Sequence, residues 1–324
     1  MDNILDLKDR KILYELDANA RAPYSAIAKK VSLSKQSVAL RVRRMQEAGV
    51  IGKFVTVVNP EAFGYSVYKV YLKLQDVDME GEKKILEELA THPNLGWLVS
   101  CMGKFDIMLA IVVDKPFSFE KVYYGMTRPF SRFIREKTAT QSIGTVEYNR
   151  KHLLPKDEGA RKRTSFHKLA GEPKIDGTDG KILAALSQDA RAQNIEIMKK
   201  AGASGRAVGY RIKQLEKEGV IQGYRCVFDR EKLGLQYYKI FLDTSGLEEA
   251  TKKKLLAFCE FEPGVTSFVS CIGAWDIEIE AEVRSAQEFQ KLLMDIRNIL
   301  SDELRDYDFA MITKELLLDY YPKS

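Results

Sequence analysis

Apolar residues Ile4, Leu7, Ile12, Leu13 and Leu16 recur at three- and four-residue spacing, which predicts an amphipathic first helix. A second short helix is expected from about 24 to 31, with Ile27 and Val31 inward. Ser32-Leu33-Ser34 breaks the pattern, and Ser34 is a good N-cap for a third helix that runs to about Ala48 and stops at Gly49. In that helix Val38, Val42 and Met45 share the inward face. Gln36, Ser37, Leu40, Arg43 and Arg44 fall on the opposite face, with Arg41 on the flank. Two short helices and a tight turn into a basic third helix read as a helix-turn-helix. Lys35, Gln36 and Ser37 lie at the N-terminal turn, the part of a recognition helix that reaches base edges. Arg41, Arg43 and Arg44 suit phosphates or guanine edges, because a guanidinium fork matches both. Leu40 has two readings, contact with a thymine methyl or a partly buried structural role.

After Gly49-Val50-Ile51 the pattern changes to alternation. Residues 54–58 read as a strand, closed by Asn59-Pro60. There follow a strand at 65–75, a helix around 80–92, strands at 95–101 and 106–113, a helix around 117–135 and a strand at 137–148. That order, β-α-β-β-α-β, is ferredoxin-like: two helices cover one face of an antiparallel sheet and leave the other free for a partner. Gly103 and Asp106 sit in the hairpin between the middle strands. There a glycine can supply positive φ and an aspartate can hydrogen-bond within the turn.

The whole pattern then returns 170 residues later: Asp9-Arg10-Lys11-Ile12-Leu13 as Asp179-Gly180-Lys181-Ile182-Leu183, and the Gly103–Asp106 turn as Gly273-Ala274-Trp275-Asp276. The expected organisation is a winged helix-turn-helix at 1–62, a ferredoxin-like unit at 63–150, a basic linker at 151–174, a second winged helix-turn-helix at 175–232 and a second ferredoxin-like unit at 233–324. The fold class is α+β. Val208, Ile212 and Leu215 repeat the inward stripe, while Arg206, Tyr210, Arg211 and Lys213 are the candidate DNA contacts of the second copy. Gly205 and Gly209 each cost about 1 kcal/mol relative to alanine in a helix, so the second reader is expected to be softer and differently specific.

Charge sharpens this picture. The net charge is only +5, yet residues 1–62 carry 11 basic against 7 acidic side chains, and residues 233–324 carry 10 against 17. Positive charge gathers in the front of each copy and in the linker, as a partner polyanion requires. The linker's Arg161-Lys162-Arg163, followed by Phe166, His167 and Lys168, reads as a solvated tether or as a DNA-backbone contact. Four cysteines show no C-x-x-C pair and read as buried small side chains, so no metal site is expected. With no run of about 18 apolar residues and no signal pattern, a cytoplasmic protein without membrane contact is expected.

Asp9-x-x-Ile12-Leu13, Ile27-Ala28, Leu33-Ser34, Val38-x-x-Arg41-Val42, Gly49-Val50-Ile51 and Gly103-x-x-Asp106 together resemble the Lrp/AsnC (feast/famine) family of prokaryotic transcription regulators, over residues 1–150 and again over 175–324. The resemblance implies sequence-specific binding of double-stranded DNA, homo-oligomerisation through the ferredoxin-like units, and an amino-acid effector near the Gly-x-x-Asp turn and the last strand. Carried over, the effector residues are Gly103, Asp106, Thr138 and Thr140, with Gly273 and Asp276 in the second copy, where Asp308 and Ala310 replace the two threonines. No catalytic residue and no cofactor is expected. Two rival readings stand beside this one. Siroheme decarboxylases resemble the same architecture and occur as fused pairs, but the three histidines here, His92, His152 and His167, are not repeated between copies. The other rival is an effector-sensing assembly module that has lost DNA binding.

Overall fold

The computed structural model describes residues 5–155, the backbone of 163–165, and residues 169 and 171–321. Helix α1 (Leu7–Ala18) opens with a capping box, the Asp6 and Asp9 carboxylates each accepting from the other's backbone N–H. Helix α2 (Tyr24–Val31) ends at Ser32, which takes the left-handed conformation, and Ser34 Oγ then accepts from Ser37 N–H to start α3 (Lys35–Glu47). Strands β1 (Ile51–Val58) and β2 (Ser66–Leu74), helix α4 (Met79–Ala90), strands β3 (Leu95–Gly103) and β4 (Ile107–Val113), helix α5 (Pro116–Thr127) and strand β5 (Ile134–Tyr148) complete the first copy. The expected helix 117–135 is divided: α5 gives way to a 3-10 segment, Arg128–Phe133, where Pro129 has no N–H to donate to an α-helical bond. A short strand β6 (Arg163–Ser165) follows. The second copy repeats the order with α6 (Gly177–Gln188), α7 (Asn194–Ala201), α8 (Gly205–Lys217), β7 (Ile221–Phe228), β8 (Gln236–Thr244), α9 (Glu249–Phe261), β9 (Val265–Gly273), β10 (Ile277–Val283), α10 (Ala286–Leu300) and β11 (Leu304–Leu318).

The two helix-turn-helix units form one head. Their wings β1 and β7 pair antiparallel, with Val55 opposite Arg225, its own repeat equivalent, so the pseudo-two-fold axis passes through that pair. A single apolar core runs through both units, from Ile12, Leu16 and Val42 to Ile182, Leu186 and Ile212. Arg21 donates to the carbonyls of Ala190 (2.7 Å) and Ala192 (3.1 Å), and Arg191 donates in return to those of Ala20 and Ala22. These charge-assisted bonds fix the units against each other.

Beneath the head the two ferredoxin-like sheets, ordered β5-β2-β4-β3 and β11-β8-β10-β9, close into a ring. Each last strand is 15 residues long and serves both sheets. β5 pairs with β2 over its first half and, from Thr140 to Glu147, with β9 of the other copy. β11 does the same with β8 and β3. Helices α4 and α5 pack outside one half, over Leu72, Leu98 and Leu109, and α9 and α10 outside the other, over Ile240, Phe268 and Ile279. The free sheet faces expected from the sequence therefore meet each other, within one chain, around Tyr71, Phe105, Phe241 and Trp275. The linker is not wholly irregular, since β6 pairs with residues 146–148 of β5. Arg161, Lys162, Phe166, His167 and Lys168 lie outside the described residues, as does the Arg163 side chain. Among the described residues no helix is long and apolar enough to cross a membrane.

Candidate functional site

Helix α3 buries Val38, Val42 and Met45 and turns Lys35, Gln36, Arg43 and Arg44 to solvent, with Ser37 half-buried beside them. Among the described residues Arg43 makes one exposed ion pair, to Glu47 (2.9 Å) one turn on, so its guanidinium stays available to an incoming phosphate. Leu40 is 61% exposed and its equivalent Tyr210 69%, so neither takes a partly buried structural role. On α8 the exposed cations are Arg206, Lys213 and, at the helix's last residue, Lys217. Gly205 lies against Met198, where a Cβ would come within 2.9 Å of its sulfur, whereas Gly209 faces open space.

Arg41 and Arg211 depart from the expected DNA-contacting set. Arg41 Nη1 lies 2.7 Å from both Asp6 and Asp9, the capping-box pair of α1, and Arg211 makes the same fork with Asp176 and Asp179. The carboxylates raise both guanidinium pKa values further. These arginines staple each recognition helix to the first helix of its own unit. The signal was in the sequence, as an Asp-x-x-Asp box with an arginine 32 residues on, present in both copies.

The Gly-x-x-Asp turns are built into the fold as well. Asp106 accepts from Leu74 N–H (2.7 Å) and Lys73 Nζ (2.7 Å), and Asp276 accepts from Thr244 N–H (2.8 Å) and Oγ1 (2.6 Å). Each aspartate thus ties its hairpin to the neighbouring strand. Gly103 has φ +120 and a Cβ there would sit 2.9 Å from Phe309 O of β11, while at Gly273 a Cβ would sit 2.8 Å from Ala139 O of β5. Glycine is needed on both counts, conformation and close approach of the other copy's strand. Thr140 is buried, 3.5 Å from Tyr71 Oη, and Thr138 is half-buried on the same strand face. The effector candidates are brought near the inter-copy seam, but the lysine-aspartate pair at 73 and 106 exists in the first copy alone, since Asp243 replaces Lys73 in the second.

Residues 5–46 match the AsnC-type helix-turn-helix domain, and residues 175–222 match a winged helix-turn-helix DNA-binding domain. The proline dehydrogenase transcriptional activator of Rhodobacter capsulatus is 34% identical over 112 residues, which is 73% of that protein and 34% of this chain. The chain belongs to the Lrp/AsnC family of transcription regulators. Another relative, an uncharacterized HTH-type transcriptional regulator of Pyrococcus horikoshii, is 33% identical over 135 residues, covering 77% of that protein and 42% of this chain. Such partial coverage is what a Lrp/AsnC unit duplicated within one chain produces. Over nearly the full length, the crystal structure of the siroheme decarboxylase NirDL aligns with a TM-score of 0.62 at 13% identity, covering 98% of this chain and 94% of that one, a likeness of fold.

Sequence reading missed the polar interior of this Lrp/AsnC barrel. In β10 the run Ile277-Glu278-Ile279-Glu280-Ala281-Glu282 alternates like a strand with one wet face, yet Glu278 and Glu282 are buried to within 1% and Glu280 faces inward beside them. Burial alone would raise the Glu282 carboxyl, but Arg150 (2.8 Å) and Arg230 (2.7 Å) overturn it and hold it well below the ordinary glutamate range. Lys239 (2.9 Å) and Lys69 (2.7 Å) do the same for Glu278, which also accepts from Tyr71 and Trp275. Arg150 reaches up to Asp17 of α1 (2.7 Å), joining barrel to head. The first copy offered the clue: Met108, Ala110 and Val112 at the equivalent positions show that this strand face points into an apolar space. Among the described residues no group of three His, Cys, Asp or Glu side chains could hold a metal ion.

Proposed function

We propose that one chain supplies an entire two-headed DNA reader, with α3 and α8 meeting two half-sites on one face of a double-stranded operator. The observation that carries this is the reciprocal Arg21 and Arg191 clamp over a shared core, which leaves the two recognition helices no independent hinge. The half-sites are unequal. Helix α3 offers Lys35, Gln36, Ser37, Arg43 and Arg44, whereas α8 offers Arg206, Tyr210 and Lys213 on a helix softened by Gly205 and Gly209. A small amino-acid effector acts at the first copy's outer turn, where the Lys73–Asp106 pair, 22% and 24% exposed, presents both charges that a zwitterion exchanges with. Further chains associate through the helix-covered outer faces, which expose Phe117 and Phe261.

The reading includes no catalysis. An enzyme has no use for the cationic face of α3, and the cavity of about 190 Å³ between head and barrel holds roughly six non-hydrogen atoms at about 30 Å³ each, far fewer than a tetrapyrrole carries. The test is recovery of bound fragments across the genome, with and without added amino acids, followed by binding stoichiometry on the recovered site. One chain per asymmetric pair of half-sites is expected. Two chains per site, or a palindrome with equal information in both halves, contradicts the proposal. Tetrapyrrole absorbance in the purified protein would favour the decarboxylase reading instead.

A further inference from the structure

A cavity of about 190 Å³ lies on the pseudo-two-fold axis, between the β1–β7 ribbon of the head and the mouth of the barrel. Its lining carries Lys69, Arg150, Arg225 and Arg230 against Glu147, Glu280, Glu315 and Asp319. The duplication supplies an internal control for these charges. Val55 stands where the second copy has Arg225, Pro60 where it has Arg230 and Thr145 where it has Glu315, while Leu317 is the equivalent of Glu147. The fold thus closes at the same positions without ionised side chains. Burying charge is costly unless every group is paired, so charges whose repeat equivalents are uncharged, as all of these but Lys69 are, ask for another explanation.

One member of the set is poorly satisfied. Arg225 is 7% exposed, its polar contacts are Asp17 O at 3.3 Å, Asp17 Oδ2 at 3.5 Å and Glu147 Oε2 at 3.4 Å, and its Nε makes no hydrogen bond among the described residues. By contrast Arg150 and Arg230 each hold Glu282 at 2.8 Å or closer. Arg225 lines the cavity, and a guanidinium matches the planar geometry of a carboxylate. Glu315, also on the lining, accepts from Trp97 Nε1 at 3.0 Å and from Arg230 at 3.3 Å, which leaves acceptor capacity for a ligand cation. Lining charges in equal number of each sign suit a ligand that also carries both.

We infer that this cavity is a second, interior ligand site, which takes a small zwitterion whose carboxylate is held by Arg225 and whose cationic nitrogen faces Glu315. At about 30 Å³ per water-sized group, the volume accommodates roughly six non-hydrogen atoms. The site is distinct from the outer Lys73–Asp106 turn. Because Arg225 belongs to the wing of the head and Glu315 to the barrel, occupancy bears on how the reader sits over its base. This goes beyond the outer-turn effector reading and does not depend on it.

The experiment titrates the full chain with the common amino acids and with glycine betaine, using propionate and choline as single-charge controls. Thermal stability and the fluorescence of Trp97, which lines the cavity, are the readouts. At least one zwitterion should raise the melting temperature and change the fluorescence, and the controls should do neither. Arg225→Val, which copies the residue tolerated at position 55, should weaken binding tenfold or more, while Asp106→Ala leaves it unchanged. Arg225→Lys keeps the charge without the fork and provides the same test should the valine variant fold poorly. Absence of any zwitterion response, an equal response to propionate, or a response lost in Asp106→Ala and kept in Arg225→Val and Arg225→Lys overturns the interior site. The last pattern would leave the outer-turn reading standing.

Discussion

Arg21 and Arg191 reach across the head in the same way, each to the carbonyls that follow the other copy's first helix, whereas Glu282 in the barrel pairs with two arginines and its counterpart Val112 has no charge to pair. The head has kept the symmetry of the duplication and the barrel interior has lost it. Contacts needed for the two readers to sit as a pair recur in both copies, including the Arg41 and Arg211 staples. Contacts of the interior are particular to one copy, so they serve something other than closing the sheet.

The largest expected effect breaks the asymmetric side. Glu282→Ala strands two buried guanidinium groups and should cost about 3–5 kcal/mol in urea unfolding, while Val112→Ala at the equivalent site should cost about 0.5–1.5 kcal/mol, as for a modest core truncation. Linkage gives the pH signature. The folded-state pKa values of Glu278 and Glu282 are depressed, so their stabilisation is fully present above the unfolded glutamate pKa of about 4.3 and is lost as pH falls below it. Stability curves measured between neutral and acid pH should show this loss in the parent and a smaller one in Glu282→Ala.

On the symmetric side, Arg21→Ala and Arg191→Ala should destabilise by similar amounts, about 2 kcal/mol each for charge-assisted bonds to carbonyls. A difference of more than twofold between them would break the claim that the head is evenly clamped. In DNA binding, neutralising Arg43 and Arg44 together should lower the log–log salt slope by about 1.8, at about 0.9 per phosphate contact. Neutralising Arg206 and Lys213 of α8 should lower it less. The smallest effects belong to the staples: Arg41→Ala and Arg211→Ala should each lower stability by less than the Arg21 and Arg191 truncations and leave the salt slope unchanged. A lowered slope in Arg41→Ala would return that arginine to the DNA contacts.

What could be read from the chain was local. The cap at Ser34, the inward stripe of α3 and the strand-helix order depend on neighbouring residues, and the family motifs lie on those elements. Closure of the barrel depends on pairing between strands more than a hundred residues apart. Its trace was the length of the last strand, since residues of β5 beyond the reach of β2 still need backbone partners. The β10 glutamates were illegible for a different reason: alternation does not say which face is wet, and only the other copy's Met108, Ala110 and Val112 assign it. The ion pairs of Arg41 were illegible because a helical wheel places a side chain on a flank without knowing what the next helix offers it.

The central claim is that one chain closes its own barrel beneath its own pair of readers. Ser142 of β5 stands opposite Cys271 of β9, both buried in the seam between the copies. In an antiparallel ladder directly opposed Cα atoms lie about 4.5–5.5 Å apart, within the span of a disulfide. Oxidising Ser142→Cys and separating the product without reductant tests the closure directly. The account predicts a bridged product with the mass of a single chain at every protein concentration; a covalent dimer whose yield rises with concentration would mean that the sandwiches pair between chains.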